Sequence, residues 1–369
     1  KAWSDIATHR VANYQWALAA KVLIWLQTQS ILTGNYFYHG GIRLHASQNV
    51  TVYNRQATLL DISGPKERRI KVERVECLEA AQSLQGVGLS KVAVLNMANS
   101  NKPGGHVKKG EDSQEEDLFR RTDMSRHTER FLRGEHYLLS ESEPVVMVQK
   151  GVTIMRGPEK EGYPFLDDIP AVITVISVAV NKKPDIITNH KTGKRNYRDG
   201  NSKVDMIRHI RLVLHAIIDT DCTAVVLTGV GCGRQGHPPE DVALMFKREI
   251  YRVGEKLPFI YFAVFDENQD PKPTGNFEVF ERILVAPEVD DANWRSAKDV
   301  FNNAVRDQTN FDFPEAEVLG DTSLLPEPKG EERTELQTQA GDVPMGAPPS
   351  ETGSYSHMGT EGSPSGQAP

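Results

Sequence analysis

A short apolar strand that runs into a glycine turn, and then into a helix headed by two carboxylates, constrains this chain more than any other feature. Val92 to Leu95 are apolar and β-leaning, and Pro103-Gly104-Gly105 punctuates the strand exit. Leu118, Phe119 and Met124 behind Ser113 have the spacing of an amphipathic helix. Strand, loop and helix make one βα unit, the kind of piece that builds a sheet covered by helices. In such a unit Gly104 and Gly105 let backbone N–H groups approach an anion closely, while Glu115 and Glu116 stand beside it at the helix entrance. This arrangement suits a phosphate-bearing sugar with a general acid next to it. The same residues also have a plain reading, in which Gly-Gly is a turn and Gln-Glu-Glu caps a helix and complements its dipole.

A second unit of the same kind follows. Ala224 to Thr228 has the pattern of a buried strand. Gly229-Val230-Gly231-Cys232-Gly233-Arg234-Gln235-Gly236-His237-Pro238-Pro239 leaves it, and Val242, Ala243, Phe246 and Ile250 mark one face of a following helix. Pro238 and Pro239 suit the first positions of that helix, and the glycines again free backbone donors for phosphate oxygens. Gly231, Gly233 and Gly236 also satisfy the G-x-G-x-x-G dinucleotide fingerprint, which would make a nicotinamide-dependent oxidoreductase. Against that, the acid closing the next apolar strand, Asp266, lies well beyond the roughly 20 residues the fingerprint expects, and the segment comes late in the chain.

Gly104, Gly105, His106 and then Gln114-Glu115-Glu116 resemble the signature of the microbial-type poly(ADP-ribose) glycohydrolases, a Gly-Gly-Gly triplet followed after several residues by Gln-Glu-Glu on a macrodomain core. Leu95-Asn96-Met97-Ala98-Asn99 upstream is similar to the family's strand exit, and Asp117-Leu118-Phe119-Arg120-Arg121-Thr122 downstream is similar to the start of its helix. The likeness extends over most of residues 1 to 285. It implies hydrolysis of the O-glycosidic ribose–ribose bond in poly(ADP-ribose) or ADP-ribosylated proteins. Glu116 would be the general acid and Glu115 the holder of the ribose hydroxyls. An unperturbed glutamate is ionised at neutral pH, so such a role requires burial or neighbouring negative charge to keep a proton on the pair.

By the same resemblance, Gln114 orients the pair and Asn99 lies near the ribose. Gly104, Gly105 and His106 form the phosphate loop, with Lys102, Lys108 and Lys109 adding positive potential. Gly229, Gly231, Cys232, Gly233 and Gln235 wrap the diphosphate and distal ribose. This sequence departs from the family pattern at three places. His106 stands where a third glycine is expected, Gln235 where an aromatic packs on the distal ribose, and His237 where an asparagine is expected. If position 106 needs positive φ, its Cβ costs on the order of 1 kcal/mol. The alternative to an enzyme is a non-catalytic ADP-ribose-binding macrodomain module with the same pocket.

The implied fold is a macrodomain-like three-layer α/β/α sandwich with an N-terminal helical extension and a disordered C-terminal tail. The expected boundaries are residues 1–75 for a helical accessory segment packed on the core, 76–285 for the core, 286–314 for a flank and 315–369 for the tail. Strands are expected at Val92 to Leu95, Val145 to Val148, Val152 to Met155, Ala171 to Val180, Ala224 to Leu227 and Phe259 to Val264. Helices are expected at Thr8 to Leu26, Leu78 to Leu84, Ser113 to Leu132, Lys203 to Ile218, Pro239 to Val253 and Phe277 to Leu284. Lys182 to Ser202 reads as a polar loop. The apolar run Gln15 to Leu26, broken by Lys21, is too short for a membrane span and is expected to pack on the core.

Glu315 to Pro369 holds ten acids against two bases, with seven prolines, eight glycines and a single aromatic. Such a segment cannot bury enough apolar surface to offset its ordering entropy. Its charge of −8 accounts for the −7 of the whole chain, leaving residues 1–314 at +1. The acidity therefore says little about what the folded part binds. Cys77, Cys222 and Cys232 are odd in number and lack zinc-type spacing, which favours reduced thiols and an intracellular chain, cytoplasmic or nuclear. His127-Thr128-Glu129 lacks the Pro-Cys-x-x-Cys of a zinc deaminase. His209 and His215 are spaced for packing rather than ligation. No metal or cofactor is required, and neither a membrane nor a specific nucleic-acid sequence is an expected partner.

Overall fold

The computed structural model describes residues 14–32, 36–39, 42–45, 50–54, 70–128, 137, 139–141, 143–166, 171–191, 193–198, 200–253, 257–265 and 275–285. The 315–369 tail, the 286–314 flank, Asp266 and residues 8–13 and 129–132 of two expected helices lie outside them.

The helices are α1 (Tyr14–Ile31), α2 (Cys77–Gly86), α3 (Gln114–Arg121), α4 (Met124–His127), α5 (Gly200–Ile218), α6 (Pro239–Val253) and α7 (Asn276–Leu284). The strands are β1 (Tyr36–His39), β2 (Ile42–His45), β3 (Val50–Asn54), β4 (Ile70–Glu73), β5 (Val92–Met97), β6 (Val145–Thr153), β7 (Val172–Val178), β8 (Ile186–Thr188), β9 (Arg195–Tyr197), β10 (Ala224–Leu227) and β11 (Phe259–Ala263). Seven of these form one sheet in the order β3-β6-β7-β5-β10-β11-β4. From β7 to β4 the neighbours are parallel; β6 pairs antiparallel with β7, and β3 antiparallel with β6.

Alternation along the strands explains the layers. Successive side chains of a strand point to opposite faces. Ala93 and Leu95 of β5, Val225 and Leu227 of β10, and Ile260 and Phe262 of β11 join one core with α5, α6 and α7. Val92, Val94, Ala224, Val226, Tyr261 and Ala263 join a second core with α2 and α3. Both sheet faces are covered by helices, so the expected three-layer α/β/α sandwich is present.

Several expectations are corrected. The polar stretch 182–202 contains the hairpin β8–β9 and the start of α5, because Asn189 and Lys194 close a turn by backbone bonds and Asp241 accepts from Tyr197 N–H. Val145 to Thr153 is one strand rather than two, with an irregularity between Lys150 and Val152 where Gly151 takes φ +80°. The helix expected from Ser113 onward breaks after Arg121. Thr122 becomes extended and bridges to Ile154, and Asp123 Oδ1 accepts from Thr153 N–H at 2.7 Å.

The N-terminal segment is not only helical. Residues 50–54 and 70–73 supply both edges of the central sheet, so the sheet reaches back across the 75/76 boundary. The apolar run in α1 packs differently from expectation. Trp16, Leu23 and Leu26 are exposed, while Lys21 and Thr28 are buried. Polar partners explain this: Lys21 Nζ pairs with Asp112 at 2.5 Å and Glu159 at 3.0 Å, and Thr28 Oγ1 donates to the Arg120 carbonyl at 2.7 Å. No helix among the described residues is long and apolar enough to cross a membrane.

Candidate active site

Both glycine loops leave the carboxyl ends of β5 and β10, which pair in parallel and so hold the loops side by side. In open α/β sheets this end of the strands is where ligands bind. The first loop turns through Gly104 at φ +70° and Gly105 at φ +49°, a region that favours glycine. Crowding adds a second requirement. A Cβ on Gly104 would meet the Phe119 ring at 2.6 Å, and one on Gly105 would meet Glu116 Oε1 at 2.5 Å and Glu115 Oε2 at 3.2 Å. His106 has φ −109°, so the side chain at the third position carries no left-handed strain.

Ser113 caps α3, and Glu116 at its third position closes a capping box: Glu116 Oε2 accepts from Ser113 N–H at 3.1 Å and from the Ser113 hydroxyl. Glu116 Oε1 accepts from His106 N–H at 2.9 Å. The capping reading of Gln-Glu-Glu and the site reading therefore describe the same side chain. Glu115 is buried beside it, with Oε2 accepting from Asn99 N–H at 2.8 Å and Oε1 from Gly104 N–H at 3.1 Å. Burial, helped by the charge of Glu116, pushes Glu115 up to about 8 despite these donors. Both carboxyls face the same point at Gly105.

Gln114 and Asn99 hold this geometry by routes the sequence does not spell out. Gln114 Nε2 donates to Leu95 O at 2.7 Å and its Oε1 accepts from Met97 N–H at 3.0 Å, so both ends of the amide tie the helix start to β5. Asn99 Oδ1 accepts from Asn101 N–H at 2.8 Å and from Lys102 N–H at 3.3 Å, closing an Asx turn. Tyr137 is a residue sequence reasoning missed. It is partly buried, and this burial, with Glu115 adding to it, raises its phenol well above the ordinary value. No periodicity or motif around position 137 marks it.

In the second loop Gly231 takes φ +71° and Gly236 φ +85°. A Cβ on Gly231 would strike the His237 ring at 2.5 Å, whereas Gly233 faces open space. His237 is a buried brace: Nε2 lies 2.7 Å from Asn181 O and Nδ1 2.6 Å from the Tyr197 hydroxyl, tying the loop to the β8–β9 hairpin. Cys232 is buried with its thiol 3.6 Å from Val230 O, and Phe280 packs under Gly229. Gln235 O accepts from Lys183 N–H at 2.9 Å. Arg234 Nη1 reaches Glu111 Oε2 at 3.4 Å, a direct link between the two loops. Among the described residues, one imidazole and two carboxylates, His106, Glu111 and Glu116, bring their ligand atoms within 4.8 Å of one another.

Two loops, one pair of buried carboxyls and a sheet of this order can be compared with known proteins. Residues 21–148 match the microbial-type PARG catalytic domain. The PARG match takes in most of α1, the first glycine loop, both glutamates and the start of β6. Among solved structures the chain is similar to the poly(ADP-ribose) glycohydrolase of Thermomonospora curvata, at 21% identity and a TM-score of 0.58 over 72% of this chain and 99% of that one. The same enzyme bound to the inhibitor ADP-HPD gives 22% identity and a TM-score of 0.57, with the same coverage. A mutant poly(ADP-ribose) glycohydrolase from Deinococcus radiodurans in complex with ADP-ribose gives 21% identity and a TM-score of 0.50, over 64% of this chain and 94% of that one. At these identities the structural likeness is one of fold. No curated protein sequence matches.

The dinucleotide reading of Gly231, Gly233 and Gly236 gains nothing from the fold. After β10, α6 and β11, only α7 follows among the described residues, so no second mononucleotide half is built.

Proposed function

We propose that this chain is a glycosidic hydrolase that cleaves the ribose–ribose O-glycosidic bond of poly(ADP-ribose) and releases ADP-ribose. The observation that carries this reading is the pair of buried carboxyls, Glu115 and Glu116, turned toward Gly105 and held by donors of the glycine loop. Glu116 gives a proton to the leaving ribose hydroxyl as the C–O bond breaks, and positive charge spreads over the ring carbon and ring oxygen. Water then adds to that carbon and returns its proton to the same carboxylate. Glu115 holds the ribose hydroxyls. Burial of Glu115 and the closeness of the two carboxyls favour one proton on the pair, and that proton sits on Glu116 when the bond breaks.

Backbone N–H groups of Gly231 and Gly233 supply the diphosphate cradle. Gly233, where a Cβ would meet nothing, leaves room for a phosphate beside the chain. Gln235 offers an amide to the distal ribose in place of an aromatic platform. The substrate is poly(ADP-ribose) or an ADP-ribosylated protein. Three free cysteines, two of them buried, fit a reducing compartment such as cytoplasm or nucleus.

The test is release of ADP-ribose from automodified poly(ADP-ribose) polymerase by the full chain, beside Glu116→Gln. Wild type is expected to release ADP-ribose, and Glu116→Gln is expected to lose turnover by at least about 10²-fold while binding ADP-ribose with little change. Binding without any turnover by wild type would replace the hydrolase with a reader; turnover that survives Glu116→Gln would move the acid to another group.

A further inference from the structure

His106 puts an imidazole where the family pattern has no side chain, and its surroundings give that ring neighbours of a particular kind. Its Nδ1 lies 3.8 Å from Glu111 Oε2. One ligand atom each of His106, Glu111 and Glu116 lie mutually within 4.8 Å. We propose that His106, Glu111 and Glu116 form an inhibitory binding site for a zinc-class divalent cation.

The donor set fits such an ion. One imidazole nitrogen and two carboxylate oxygens are ligands Zn2+ accepts at roughly 2.0–2.2 Å, with a fourth position left to water. Ligand atoms around a tetrahedral ion at that radius are about 3.3–3.6 Å apart. Closing from within 4.8 Å to that spacing asks for movements on the order of 1 Å. Glu116 is already fixed for the purpose, because the N–H of His106 itself holds Oε1 at 2.9 Å. That bond occupies one lone pair of Oε1 and leaves the other. A 3-10 turn, Val107–Lys109, separates His106 from Gly110, which takes φ +77° against the backbone of Leu18 in α1 and sets the approach of Glu111.

The site already attracts a cation. Arg234, an exposed guanidinium from the second loop, reaches Glu111 Oε2 at 3.4 Å. A metal ion would displace it, loosening the link between the loops, and would occupy the carboxylate oxygen that faces Gly105. Loaded with zinc, Glu116 can neither protonate a leaving oxygen nor leave room for ribose. The consequence for turnover rests on the hydrolase reading; the site itself does not.

The experiment is calorimetric titration of zinc chloride into the substrate-free full chain. One saturable site is expected, weakened at least about tenfold by His106→Ala and by Glu111→Gln, tightened by Arg234→Met and unmoved by Cys222→Ser. In parallel, zinc should inhibit ADP-ribose release by wild type reversibly with EDTA, while Glu111→Gln retains turnover and escapes inhibition. Zinc binding indifferent to both His106→Ala and Glu111→Gln, or no saturable binding, overturns the site even if the chain hydrolyses the polymer. Triad-dependent binding in a chain that never releases ADP-ribose leaves the site standing and removes the hydrolase.

Discussion

Gly105 is the residue at which sequence and geometry meet most closely. Its φ of +49° already disfavours a side chain, and a Cβ there would enter the space of Glu116 Oε1 and Glu115 Oε2. Gly105→Ala should therefore lose about 1–2 kcal/mol of stability to backbone strain. Turnover should fall on the order of 10²-fold, because carboxyls displaced by about 1 Å no longer meet the reacting bond. Gly86→Ala, with open space and no left-handed φ at the end of α2, is the control expected to keep its fold and turnover; equal losses in both would mean that Gly105 is merely a turn. The glutamates and glycines stood out by residue type and spacing, while the roles expected of them came from the family resemblance. The side-chain work of Gln114, the φ of His106 and the place of Tyr137 were not legible, since each depends on contacts with segments distant in sequence. Asp123 is another such case: burial pushes its carboxyl up to about 7, while His127 beside it is held down to about 4, also by burial, with Arg126 adding to that. A carboxyl raised in the folded state stabilises below its ordinary value and loses that contribution as pH rises through about 7. Asp123→Asn should thus gain stability relative to wild type as pH goes from about 4 to about 7, by up to ~1.4 kcal/mol per pH unit. Urea unfolding across that range measures the difference, and a difference that does not change with pH refutes the assignment.

At the scale of elements, the buried strands and the long amphipathic helices were readable, since their periodicity is set by the sheet faces they cover. What escaped was structure specified by polar groups. The break between α3 and α4 comes from Thr122 and Asp123 bonding to β6, and the β8–β9 hairpin is held by Asp241 and by the Tyr197–His237 contact. Neither leaves a hydrophobic pattern. Helix α1 is the sharpest instance, because its apolar letters suggest a packed face while Lys21 and Thr28 do the docking. Lys21 joins Asp112, the residue before the α3 cap, to Glu159. Lys21→Met leaves two partly buried carboxylates without their cation and should cost roughly 1–3 kcal/mol. A thermal melt that moves by less than the scatter of replicates would mean that desolvating the ammonium offsets the pair.

For the whole molecule, the sheet is closed from both sides by the segment before residue 75. β3 covers β6 at one edge and β4 covers β11 at the other, so β6 and β11 are interior only because β3 and β4 flank them, while the glycine loops sit above β5 and β10 at the centre of the sheet. These edge strands were missed for a physical reason. Ile70-Lys71-Val72-Glu73 alternates apolar and charged residues and Val50-Thr51-Val52-Tyr53 alternates more weakly, and segments this short carry little periodic signal. Residues 76–285 carry every residue proposed for catalysis and binding, yet alone they would expose unpaired backbone along β6 and β11 and lose Val50, Val52 and Val72 from the cores. Unpaired edges of that kind recruit other chains. A fragment of residues 76–285 is therefore expected to aggregate or to lack a cooperative melt, whereas one of residues 14–285 should be monomeric, melt cooperatively and bind ADP-ribose. Size-exclusion chromatography and circular dichroism on the two decide it. A monomeric, cooperatively melting 76–285 fragment would show that β3 and β4 are decoration on a core complete without them. In that case the division at residue 75 would stand as a true domain boundary.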